Sequence, residues 1–71
     1  MTLFEITLPA SCAAYLINGD DDDGRAVYEA DRACADFNID PASCLSMDDE
    51  RIARFKGLVT EVATFTFDAD R

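Results

Sequence analysis

The sequence predicts a small α+β domain: an antiparallel sheet of about three strands with two helices packed on one face, filling residues 1–71 as a single compact acidic unit. Three patterns carry that prediction. "TLFEITL" at 2–8 alternates apolar and polar side chains, and "LVTEVATFTFD" at 58–68 is dense in β-branched and aromatic residues. Between them, residues 26–37 carry apolar side chains at helical spacing.

In the first stretch Phe4, Ile6 and Leu8 share one face while Leu3, Glu5 and Thr7 share the other, as in a half-buried strand. Pro9 ends the pairing and can open a helix, where its missing N–H is no loss. That short helix runs through "ASCAAYLI", with Cys12, Ala13, Leu16 and Ile17 towards the sheet, and stops at Asn18-Gly19. Asp22 or Asp23 then serves as N-cap for a second helix beginning near Gly24 or Arg25. Its apolar stripe is Ala26, Val27, Ala30, Ala33, Cys34 and Phe37.

Asp40-Pro41 is a breaker, and the moderately apolar run 38–47 reads as a short second strand. "DDERIARFKG" at 48–57 reads as one or two helical turns, acids first and basic residues last, with Ile52 and Phe55 as anchors and Gly57 as the stop. The last run is expected to be the central strand, Val59, Ala63, Phe65 and Phe67 on one face and Thr60, Val62, Thr64 and Thr66 on the other.

Fifteen acidic residues against six basic ones give a net charge of -9. Such a chain is repelled by nucleic-acid phosphates and by anionic lipid, so neither direct nucleic-acid binding nor membrane binding is expected. A content of 49% hydrophobic residues argues for a folded core over disorder. The N-terminus has no basic region and no long apolar run, which places the protein by expectation in a cytosol.

The sequence contains no histidine and one lysine, Lys56, and no serine or cysteine stands in an activating motif, so no enzyme is expected. Cys12, Cys34 and Cys44 form no CxxC pair and read as buried small hydrophobes, and no cofactor is expected. An EF-hand frame starting at Asn18 places Asp20, Asp22 and Glu29 on ligand positions, but it puts Asp23 where the loop demands glycine and Arg25 where it wants an apolar residue.

The acids divide by their local partners. Glu29 has Arg25 and Arg32 at helical spacing, and Arg32 has Asp36. Asp20, Asp21, Asp22, Asp23, Asp31, Asp40, Asp48, Asp49, Glu50, Asp68 and Asp70 have none. They read either as a solvated face that keeps the chain soluble, or as a surface in which carboxylates imitate phosphates before the lysines and arginines of a DNA-binding protein.

With "LPASCAAYLINGD" at 8–20 and "EVATFTF" at 61–67, the chain resembles small uncharacterised proteins of bacteria, plasmids and phages; where many of these carry aromatic residues after the proline, this chain has Ser11 and Cys12. In size and acidity it is similar to anti-CRISPR proteins that inhibit type I systems. That resemblance implies a monomeric inhibitor in the cytosol of a bacterial host that mimics DNA on the surveillance complex (Cascade), contacting it through Asp20, Asp21, Asp22 and Asp23, with Asp31, Asp48, Asp49 and Glu50 as a second cluster. Inhibitors of restriction or nucleoid proteins use the same electrostatics. An accessory interaction module of a mobile element, its acidity serving solubility alone and its contacts made through Tyr15 or Tyr28, is the other expectation.

Overall fold

A computed structural model describes residues 1–70. Three strands, β1 (Leu3–Pro9), β2 (Cys44–Phe55) and β3 (Leu58–Asp68), form one antiparallel sheet in the order β1-β3-β2. Two helices, α1 (Ala13–Leu16) and α2 (Gly24–Asp36), connect β1 to β2. The chain is therefore α+β, and β3 is its central strand.

The alternation in β1 does what it promised. Phe4, Ile6 and Leu8 stand opposite Phe67, Phe65 and Ala63 in register, and these side chains form the inner face. Cys12 and Leu16 from the α1 segment and Ala26, Ala30 and Cys34 from α2 close over them. Small residues on α2 let its backbone lie close to the sheet at β1. On the other face Glu5, Thr66 and Ser46 line up across the three strands, as do Thr7, Thr64 and Asp48, and no helix covers these rows.

Local chemistry sets the helix ends. Pro9 closes β1 and precedes a 3-10 turn, Ala10–Cys12, instead of opening the helix itself. Asp23 is the N-cap of α2, its Oδ1 accepting from the N–H groups of Arg25 and Ala26 at 3.1 and 3.2 Å. Asn38, at φ 56°, ends α2 in a Schellman arrangement: Ile39 N–H donates to Cys34 C=O and Asn38 N–H to Ala35 C=O. Ile17 and Phe37 lie at the ends of their helices and are exposed, and Phe37 meets Phe4 with ring centroids 4.9 Å apart.

The reading of 38–57 needs correction. The second strand starts at Cys44 and runs through the stretch expected to be helical, ending at Phe55. Lys56 and Gly57 then make a two-residue hairpin, both with positive φ (52° and 82°), as a type I′ turn requires. Two register shifts, between Cys44 and Ser46 and between Asp48 and Arg51, interrupt the β2 ladder. They break the alternation that would have marked a strand.

Candidate functional site

The aspartate run follows α1 directly. Gly19, at φ 73°, turns the chain, its N–H donating to Tyr15 C=O and that of Asp20 to Ala14 C=O. Asp20 Oδ1 accepts from Asp22 N–H at 3.0 Å, closing an Asx turn, and Asp23 is committed to capping α2. Asp20, Asp21 and Asp22 are left exposed, and one carboxylate oxygen from each lies within 4.8 Å of the others.

Tyr15 gathers a second acid to this end. Its hydroxyl donates to Asp31 Oδ1 at 2.7 Å, tying α1 to α2. The bond to that carboxylate, followed by burial and the charges of Asp31 and Asp21, pushes the Tyr15 hydroxyl up from 10.0 to about 12. Asp31 and the Asp20–Asp22 turn thus belong to one negative neighbourhood. Asp48, Asp49 and Glu50 do not join it through any bond among the described residues: they lie on edge strand β2 at its second register shift. Asp48 accepts from Ser46 Oγ at 3.3 Å, Asp49 takes a left-handed φ of 56°, and its carbonyl accepts from Arg51. The anticipated acidic face is two clusters on different layers.

The local pairs expected for Glu29 are replaced by a long-range one. Glu29 Oε2 accepts from Lys56 Nζ at 2.6 Å, whereas Arg32 donates to the Tyr28 hydroxyl at 3.0 Å. Sequence spacing cannot reveal this partner, because it depends on where the β2–β3 turn ends. The EF-hand frame also fails: Glu29 is held by Lys56 within α2, and Asp23 is occupied as a cap. Asp20–Asp22 are what remains for a cation, against the six to eight oxygens a calcium ion takes.

Cys12 and Cys34 lie in the core, where burial and then nearby carboxylates push each thiol up from 9.0 to about 11. Cys44 is raised by burial as well. High thiol pKa values of this kind make poor nucleophiles at neutral pH.

Between α2 and the end of the hairpin lies an open groove of about 380 Å³, whose walls include Pro9, Cys12, Asp23, Glu29, Phe55 and Leu58. One wall is the end of the β2–β3 hairpin, residues 51–60. Arg51, Arg54 and Lys56 lie in this stretch, and Ile52, Leu58 and Val59 are 65, 59 and 64% exposed. Compared with protein-family models, curated proteins and solved structures, the chain finds no match.

Proposed function

We propose that this chain is a stoichiometric inhibitor of a DNA-binding defence protein, of the anti-CRISPR kind that occupies the DNA-binding surface of a type I surveillance complex. The observation that supports this reading is the Asp20–Asp22 turn. Its carboxylates are exposed, close together, pre-ordered by the Asx turn and the α2 cap, and without an ion-pair partner among the described residues. Duplex DNA offers one negative charge per roughly 1.7 Å of its axis, and a dense row of carboxylates is the protein equivalent that a basic groove would accept. Asp31 extends the patch through Tyr15. Asp48, Asp49 and Glu50 would serve a second, separate contact.

The test is capture of a type I complex by the tagged protein, followed by competition with target DNA at low and moderate salt. The expected result is loss of DNA binding that weakens as salt rises. The triple variant Asp20→Asn, Asp21→Asn, Asp22→Asn should lose at least about tenfold in inhibition while keeping its fold, because Asp23 is left in place to cap α2. Undiminished inhibition by that variant would remove this turn as the contact. Failure to capture any surveillance complex would remove the anti-CRISPR reading.

The exposed Ile52, Leu58 and Val59 favour a second reading, an interaction module that docks through apolar contacts at the hairpin end. Binding to its partner would then be nearly independent of salt and sensitive to Val59→Ser.

A further inference from the structure

The two edges of the sheet are built differently. The β2 edge is blunted by two register shifts, by left-handed Asp49 and by the charges of Asp48, Glu50, Arg51 and Arg54, all devices that discourage another strand from pairing there. The β1 edge has no register shift and no left-handed residue. Its register with β3 is unbroken from Leu3 to Pro9, it carries one charged residue, Glu5, and its proline stands at the very end.

The backbone groups on that edge can be assigned. Ala69 N–H donates to Thr2 C=O at 2.8 Å, which makes the pair preceding Leu3 and Asp68 a hydrogen-bonded one. Hydrogen-bonded and non-bonded pairs alternate along an antiparallel ladder, so Phe4, Ile6 and Leu8 direct their N–H and C=O groups to β3. Leu3, Glu5 and Thr7 direct theirs outwards, where no strand follows among the described residues.

We propose that β1 is a dimerisation edge, on which a second copy of this chain pairs its own β1 antiparallel across a two-fold axis to continue the sheet. The charge on the edge selects the register. Centring the pair on Glu5 would set two carboxylates directly opposite each other. Centring it on Ile6 overlaps the two strands from Leu3 to Pro9 and sets each Glu5 opposite Thr7 of the second copy, the two exchanging both backbone bonds. Leu3 N–H then reaches Pro9 C=O of the other copy, so the missing proline N–H spoils only the end of the ladder. An axis normal to the sheet keeps Ile6 beside Ile6 on the inner face and both helix layers on one side. Isologous pairing of this kind closes on itself and does not propagate.

Net charge opposes this contact, since each copy brings -9. Salt therefore strengthens it by screening repulsion, the reverse of its effect on an acidic surface meeting a basic partner. The proposal is independent of the inhibitor reading and stands or falls separately.

Sedimentation equilibrium over a wide range of concentration, at low and high salt, tests it together with amide hydrogen exchange of the unaltered protein. The expected result is a monomer–dimer equilibrium that tightens with salt, with Glu5 and Thr7 amides protected at high concentration and exposed on dilution. Thr7→Glu places like charges opposite each other twice and should weaken the dimer roughly two- to thirtyfold. Thr7→Lys should tighten it beyond Ala35→Lys, an equal charge change on the exposed side of α2. A monomer at every concentration and salt, or Glu5 and Thr7 exchange that ignores concentration, overturns the proposal and leaves the edge to a strand of another protein. Equal effects of Thr7→Lys and Ala35→Lys overturn it too.

Discussion

Between β1 and β3 every second side chain meets the helix layer, and Ile6, Leu8, Ala63, Phe65 and Phe67 are all buried there. Between β2 and β3 the same central strand supports a ladder with two register shifts, which at its far end leaves Ile52, Leu58 and Val59 exposed. One strand thus takes part in two kinds of structure. The first half is fixed by burial, the second by a turn and by backbone pairing, and a substitution should act differently in each.

The sharpest contrast is Phe65→Ala against Ile52→Ala. Phe65 is fully buried, with Ile6 and Met47 as its neighbours in register, so truncation should destabilise by about 3–5 kcal/mol. A domain of this size has roughly 4–11 kcal/mol in total. Ile52 is 65% exposed and should change stability by less than about 0.5 kcal/mol. Urea unfolding of both variants checks this, and effects of similar size would erase the distinction between the two halves.

The same distinction explains what the sequence revealed. β1, α2 and β3 announced themselves because each has one face turned to a single core, and burial writes a period of two or 3.6 into the chain. β2 did not. Ile52 and Phe55, three apart and flanked by acids before and bases after, imitate an amphipathic helical turn, while the two register shifts erase alternation. The turn that decides the matter uses Lys56, a residue without special preference for positive φ, so only Gly57 signalled it. At the candidate site, local features were legible: the Asp23 cap and the exposed turn before it follow from neighbours in sequence. The link from Tyr15 to Asp31 and that from Lys56 to Glu29 were not, because packing of separate elements creates them.

Alkaline titration should register chiefly in the first half, Cys44 at the start of β2 being raised by burial as well. Cys12 and Cys34 are raised from 9.0 to about 11, and Tyr15 from 10.0 to about 12. Each group holds its proton more tightly folded than unfolded. The associated stability is fully present below pH 9 and is lost as pH climbs, through the thiols towards 11 and through Tyr15 towards 12. A melting temperature that is flat to pH 9 and then declines is expected. Asp31→Asn, which removes the first cause of the Tyr15 shift, should flatten the upper part of that decline, and Ile52→Ala should leave it unchanged. A decline beginning well below pH 9 would point to other groups.

The smallest effect concerns whether the two halves are coupled at all. Lys56 Nζ reaches back 2.6 Å to Glu29 Oε2 on α2 and also sits 5.6 Å from the centroid of the Phe55 ring. Glu29 is mostly covered and Lys56 mostly exposed, so a double-mutant cycle with Glu29→Gln and Lys56→Met should give a coupling of about 0.2–1 kcal/mol that shrinks with salt. Lys56 works against itself here, because its positive φ strains the turn while its ammonium group ties the turn down. Lys56→Gly relieves the first and removes the second. A net gain in stability would mean the hairpin end is held by backbone pairing alone, and a net loss would mean the ion pair to α2 is what keeps the hairpin end against the helix layer.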